Sequence, residues 1–286
     1  MGGYALLFKT GVFMTDPTYA LGRSDDEYAR LTEQANFLRP LTERFFGKAG
    51  IAPGMKVLDV GSGVGDVAFL LAELVGRNGK VVGVDMDGVA LAKAQNRAEQ
   101  RNLRNVEFVH GDIRTIALPG QFDAAVGRLV LLYSADPASV LARVATQVRT
   151  NGIVAFQEME MNELAGRATY GDSLLGKVIG SIYRTFAAAG VRVHMASELR
   201  HTYVRAGLGE PEMVGEFIAG GGVDFAGYSW IANTLRSLVP MARKLGIPLE
   251  PLGDPDTLAE RLHSEAANET RDFWSPPYVG AFVRVA

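Results

Sequence analysis

The sequence predicts an α/β fold, a Rossmann-like, seven-stranded and mostly parallel sheet with helices on both faces and a helical cap. Three observations predict it. Between residues 56 and 158, short β-branched apolar runs alternate with helical patterns across short turns, as in a parallel sheet. The first of these runs, Lys56-Val57-Leu58-Asp59-Val60, ends in glycines at alternate positions, Gly61, Gly63 and Gly65, and a helical pattern follows at once. Glycine lets the backbone turn sharply and lets a ligand approach it beyond the carboxyl end of a strand. From Met159 the composition changes, and helical inserts precede the last two predicted strands.

Composition removes several function classes. The 286 residues carry a formal charge of -3 and are 48% hydrophobic, enough for a sizeable core. No electrostatic case arises for nucleic acid or an anionic membrane. The absence of cysteine rules out disulfides, thiolate metal sites and a cysteine nucleophile. No apolar run reaches the length of a membrane span, and the segment before Lys9 is short for a signal peptide. A cytoplasmic enzyme is the expectation.

In chain order, residues 1–13 read as an extension, with a natural start at Met14-Thr15-Asp16-Pro17. Ser24 is expected to cap a helix whose Tyr28, Leu31, Ala35 and Leu38 share one face. Pro40 is expected to break it, with a second helix over Leu41 to about Lys48. Lys80 to Asp85 is the second strand and Asp87 caps the next helix. Val106 to His110 is the third strand and Phe122 to Arg128 the fourth. Asp136-Pro137 opens a helix, proline suiting its first turn, and Ile153 to Glu158 is the fifth strand. Helices are expected near 173–188, 196–206, 227–245 and 256–272. The sixth strand is Glu212 to Ile218 and the seventh Tyr278 to Val285. Ser275-Pro276-Pro277 reads as a rigid lead-in to that last strand. This divides the chain into an N-terminal extension with helices (1–48), a core of alternating strands and helices that carries the glycines (49–160), and cap inserts with the last two strands (161–286).

The glycine spacing is G-x-G-x-G, whereas a dinucleotide site uses G-x-G-x-x-G. Asp66 stands where the third dinucleotide glycine belongs, and its carboxylate would repel a pyrophosphate. With Asp59 it suits a ligand bearing an ammonium or sulfonium group. A nicotinamide dehydrogenase is disfavoured on this ground. Asp85, at the second-strand end, is placed to accept hydrogen bonds from two ribose hydroxyls.

The run Lys56–Asp66 closely resembles motif I of class I S-adenosylmethionine-dependent methyltransferases, and the chain is similar to bacterial small-molecule members of menaquinone-biosynthesis or secondary-metabolite type. The resemblance covers about residues 50–160. It implies S-adenosylmethionine as cofactor, held by Asp59, Gly61, Ser62, Gly63 and Gly65. Asp85 and Met86 then meet ribose and adenine, and Gly111, Asp112 and Ile113 the adenine amino end. Arg128 lies at the fourth-strand tip. N-terminal helices fold over the cofactor in this family, which makes Tyr19, Tyr28 and Gln34 lid residues. The fourth-strand tip reads Gly127-Arg128-Leu129-Val130, not the Asn/Asp-Pro-Pro-Tyr of amino-group methylating members. A cation there also disfavours a divalent metal, so no metal is expected.

The acceptor is expected to be a small, largely apolar or aromatic molecule, with no nucleic acid or membrane partner. Met159, Met161, Tyr183, Phe186, Tyr203, Phe225, Tyr228 and Trp230 are candidates for its pocket, fewer than half of them touching it. The inserts could instead form the interface of a homodimer. Glu158, His194 and His201 are the candidate bases, with Tyr183 or Tyr203 orienting, and His263 is expected to be exposed. The alternative is the same fold binding cofactor without methyl transfer, as a pericyclic catalyst or binding module.

Overall fold

The computed structural model describes residues 25–162, 169–268 and 272–286. Tyr19, Ser24 and the expected extension over residues 1–13 lie outside them.

Helix α1 (Asp25–Ala49) opens the described chain. The core then alternates β1 (Lys56–Val60), α2 (Asp66–Val75), β2 (Lys80–Asp85), α3 (Gly88–Gln100), β3 (Val106–His110), β4 (Phe122–Arg128), α4 (Pro137–Ala145) and β5 (Val148–Met159). The second half holds α5 (Leu174–Ala188), α6 (Met195–Arg205), β6 (Glu212–Glu216), β7 (Ala219–Gly220), α7 (Ala226–Lys244), α8 (Leu258–Ala266), β8 (Phe273–Trp274) and β9 (Tyr278–Arg284). The main sheet has seven strands in the order β3-β2-β1-β4-β5-β9-β6. Strand β9 runs antiparallel to both β5 and β6, and the other pairings are parallel. Strands β7 and β8 form a separate antiparallel ribbon.

Strand periodicity explains the layers. Val57, Val81, Ala124, Val126, Ile153 and Ala155 pack with α2 and the end of α1 in one cluster. Leu58, Val82, Val84, Ala125, Val154 and Phe156 pack with α4 to α8 in another. Successive side chains point to opposite faces, so strands covered on both sides read as continuous apolar runs.

Pro40 does not break α1, which runs through it as one helix. Leu38 and Leu41, on either side of Pro40, are both buried against Tyr278, and Phe45 and Phe46 are buried in the sheet cluster. Burial on both sides outweighs the roughly 3 kcal/mol that an interior proline costs. The last helix, α8, ends six residues sooner than expected. Among the described residues no helix is long and apolar enough to cross a membrane.

The order of the strands reverses at β1, which lies between β2 and β4. Ligands in open α/β sheets bind outside the carboxyl ends of the strands at such a reversal. Helix α1 lies across this end, where Tyr28 packs with Val64 of the glycine loop and Ala90 of α3.

Candidate active site

The glycine loop leaves β1 with three residues at positive φ, Gly61 at 69°, Gly63 at 51° and Gly65 at 91°. Their reasons differ. A side chain at Gly65 would run into Phe69, Phe108 and Ala94, so this glycine serves helix packing and does not line the cavity. A side chain at Gly63 would meet no atom within 4 Å beyond its own chain neighbours. It would point into open space, as a loop built to admit a ligand requires.

Asp85 braces this loop. Its Oδ2 accepts from the Gly63 amide at 2.8 Å and its Oδ1 from the Asp87 amide at 2.8 Å. Burial raises its carboxyl above the usual range, against the pull of those amides. Asp87 caps α3, accepting from Val89 and Ala90, and also receives the Tyr28 hydroxyl at 3.2 Å. Half-exposed Met86 presents its thioether beside Asp85.

Two expected acids sit differently. Asp59 is buried beneath the loop and does not line the cavity; burial pushes its carboxyl well up, offset in part by the Arg128 guanidinium. Its Oδ2 and the Ser62 hydroxyl are buried with no hydrogen-bond partner. Asp66 pairs with Arg97 at 2.6 Å, so its charge is matched from α3 and repels an anion less than the bare sequence implies. At the end of β3, Asp112 is held by Arg114 at 2.6 Å, and that bond lowers its carboxyl below the usual range. Gly111 and Ile113 line the cavity beside it.

At the β4 tip, Arg128 donates to Thr42 of α1 at 3.1 Å. Leu129 follows with φ at 57°, a left-handed conformation that is rare for a branched side chain and collects at functional sites. The next three residues explain Glu158. Its Oε1 accepts from the amides of Val130 at 3.0 Å and Leu131 at 2.8 Å, and its Oε2 from Leu132 at 3.4 Å. Glu158 is buried, and burial pushes its carboxyl up to about 8. It does not line the cavity. The expected base is a brace for the loop after β4.

The two histidine candidates are displaced as well. His194 is exposed and lies 2.6 Å from Glu160, while His201 is exposed on α6; neither lines the cavity. Glu160 does line it, and also accepts from the Ser197 amide and hydroxyl. His263 is half-buried rather than exposed, bonded to Ser229 at 2.9 Å. Tyr203 is buried, donating to Ala281 and accepting from Phe156 across β5 and β9.

These elements enclose one cavity of about 1200 Å³. Its sheet end is lined by Gly61, Ser62, Gly63, Asp85, Met86 and Arg128, and by Tyr28, Arg30 and Gln34 of α1. Its cap end is lined by Met159, Met161, Tyr183, Phe186 and Trp230 from the expected pocket set; Tyr203, Phe225 and Tyr228 stay outside. Sequence reasoning missed Arg30, Phe217, Trp274 and the Ser275-Pro276-Pro277 run, all of which line it. Among the described residues no group of three acidic or histidine side chains could hold a metal ion.

The Glu158 brace predicts a pH dependence of stability. Its carboxyl titrates at about 8 when folded against an ordinary 4.5. Between those values the folded protein keeps a proton that the unfolded chain has released. Unfolding free energy should then fall as pH rises through this window, by up to about 1.4 kcal/mol per pH unit. Urea titrations from pH 5 to 8 should show this fall in the native protein and lose that component in Glu158→Gln. A stability difference between the two that is constant across pH would place the proton elsewhere.

A family model described as a methyltransferase domain matches residues 51–201, more than half of the chain and all of β1 to β5. The arsenite methyltransferase of Aquipseudomonas alcaligenes is 34% identical over 153 residues, 49% of this chain and 44% of that protein. The aklanonic acid methyltransferase DauC of a Streptomyces species is 32% identical over 140 residues, 49% of this chain and 63% of the relative. A ubiquinone biosynthesis O-methyltransferase of Acinetobacter baumannii is 32% identical over 176 residues, 59% of this chain and 69% of the relative. The matched segment thus spans less than two thirds of the first two relatives. Among solved structures, the [4+2]-cyclase SpnF aligns with a TM-score of 0.53 at 20% identity, covering 86% of this chain and 79% of its own. The YcgJ protein of Bacillus subtilis aligns with a TM-score of 0.53 at 16% identity, covering 86% and 98%. At these identities the likeness is one of fold. The glycine loop, the acid ending β2 and the strand order agree with the family match, and the chain belongs to the methyltransferase domain family, as a class I S-adenosylmethionine-dependent member.

Proposed function

We propose that this protein transfers a methyl group from S-adenosylmethionine to a small, largely apolar or aromatic acceptor, without a metal ion. One observation carries the proposal. A single cavity joins the glycine loop and the Asp85 carboxylate to a wall of aromatic and methionine side chains. Ligand sites are commonly of this kind, apolar with a few placed polar groups.

The sheet end fits the cofactor. The space at Gly63 admits a ligand against the backbone. Asp85 is held by two amides, and each of its oxygens keeps acceptor capacity for a ribose hydroxyl. Met86 offers an apolar face to the adenine, and Arg128 a cation to the methionyl carboxylate. Asp112 would have to release Arg114 before accepting from the adenine amino group. Tyr28 and Gln34 close the site from α1.

When bound, the cofactor supplies a methyl group already activated by its sulfonium. The protein's part is to align the acceptor, exclude water and, for an acidic hydroxyl or amine, accept a proton. Glu160 is the carboxylate on the cap-side wall and would take that proton, its orientation fixed by His194 and Ser197. Among the relatives, the names aklanonic acid and ubiquinone biosynthesis support an organic acceptor. An arsenite acceptor is disfavoured, because the chain has no cysteine thiolate to hold a soft arsenic centre.

Replacing Asp85 by Ala should weaken S-adenosylmethionine binding by about 1.5–3 kcal/mol, the range for a lost charged hydrogen bond. Unchanged affinity in calorimetry would remove Asp85 from the site. Gly63→Val should fold and lose cofactor binding, since its branched side chain fills the open space at a positive φ. Native circular dichroism with persistent binding would make that glycine purely structural. Chelation with EDTA should leave turnover intact, given the cation at the β4 tip. Activity lost to EDTA and restored by magnesium would defeat metal independence. Release of S-adenosylhomocysteine on incubation with metabolite extract separates methyl transfer from binding without transfer.

A further inference from the structure

We propose that the acceptor is a flat, uncharged molecule of several fused rings, and that Phe217 and Trp274 form an outer subsite stacking on its far end. This rests on the methyl-transfer proposal above.

Size is the first reason. A cavity of about 1200 Å³ exceeds the roughly 300–1,000 Å³ that houses one drug-sized ligand. It has room for a cofactor together with an acceptor larger than a single ring.

The second reason is the state of the two rings. Phe217 and Trp274 are stacked, with centroids 5.2 Å apart and planes 30° from parallel. They are 49% and 54% exposed, the only large aromatic side chains so exposed among the described residues. Both line the cavity, so the exposed pair continues its inner wall of Tyr183, Phe186, Trp230 and Phe273. Lone exposed hydrophobics are ordinary, but a contiguous apolar patch at the mouth of a pocket marks a binding surface.

The third reason is rigidity. The Ser275 amide donates to the Ile218 carbonyl at 2.8 Å, and the Ile218 amide donates to the Ser275 hydroxyl at 2.9 Å. The Trp274 amide donates to the buried Tyr170 hydroxyl at 2.6 Å. The backbone under both rings is therefore locked while the rings stay open to ligand. A platform fixed in advance loses little entropy on binding, and flat rings stack on it with favourable offset geometry.

Charge selects the class. The cap end has no lysine, arginine or histidine among its described lining residues, and its one described carboxylate, Glu160, is already hydrogen-bonded. Among the described residues no cation there compensates a desolvated anion.

The test is calorimetry on the full chain saturated with S-adenosylhomocysteine, using 1,8-dihydroxyanthraquinone, catechol and 4-octylphenol as probes. The three-ring probe should bind at least tenfold more tightly than the other two. The double variant Phe217→Ala/Trp274→Ala should lose about tenfold in affinity for the three-ring probe alone, and Phe217→Tyr/Trp274→Phe should restore it. Both rings are half exposed, so circular dichroism should stay native. Equal affinity for the three probes, no binding of the three-ring probe, or no loss in the double variant would overturn the subsite. So would an equal loss for octylphenol, which would mean grip on a chain rather than a ring. A change of mass in solution with unaltered probe affinity would assign the pair to contact between copies and also overturn it. Failure of the native chain to bind S-adenosylhomocysteine would instead sink the methyl-transfer proposal on which this depends.

Discussion

Backbone amides at the carboxyl ends of parallel strands have no ladder partner, and in a buried crevice they cannot be left to water. This chain meets that constraint with acidic side chains from the neighbouring strand. Asp85 at the end of β2 takes the Gly63 amide of the loop after β1. Glu158 near the end of β5 takes three successive amides of the loop after β4. Burial desolvates both acids at a cost that the amides offset only in part. The loop after β4 is thus held from behind the cavity wall by Glu158, and the glycine loop by Asp85, which itself lines the cavity.

Helix α1 closes that space and connects it to the rest of the fold. Its Thr42 joins Arg128 at the β4 tip to Gln157 of β5, and its Tyr28 reaches Asp87 of α3. The buried pair of Arg30 and Glu27 lies on the same helix, 2.6 Å apart. A pair so enclosed is a weak source of stability but a strong penalty if one partner is lost. The helix is accordingly tied to the cleft by polar contacts that demand one orientation, while Leu38, Leu41 and Phe45 supply the apolar hold.

The sheet and the glycine-loop end of the cavity were legible because their signals are local. The glycine spacing, the acid closing β2 and the Asp87 cap each follow from neighbours in sequence. What failed depends on the third dimension. Glu158 and Glu160 are both acids near the end of β5, and only burial distinguishes the brace from the cavity wall. Pro40 reads as a break because the packing of Leu38 and Leu41 on Tyr278 is a contact between distant parts of the chain. The Ser275-Pro276-Pro277 run reads as a plain lead-in, yet its pairing with Ile218 brings it to the cavity. Leu129 at positive φ carries no sequence signal at all, since glycine or asparagine would be expected there.

The placement of β9 bears on the order in which the molecule comes together. It is made after β6 yet lies between β5 and β6 in the sheet. A chain emerging residue by residue can pair β1 to β5 as they appear, and domains do generally gain structure as they are made. Strand β6 must wait, because both of its edges lack a neighbour until Tyr278–Arg284 arrives. The aromatic mouth waits too, since Phe273 to Pro277 lead into β9. A nascent chain stalled before this point would carry β1 to β5 with their glycine loop, an open edge on β5 and no aromatic end to the cavity. Completion of the cavity is therefore coupled to synthesis through β9, and truncation within β9 would expose two strand edges at once, the arrangement most open to pairing with other chains.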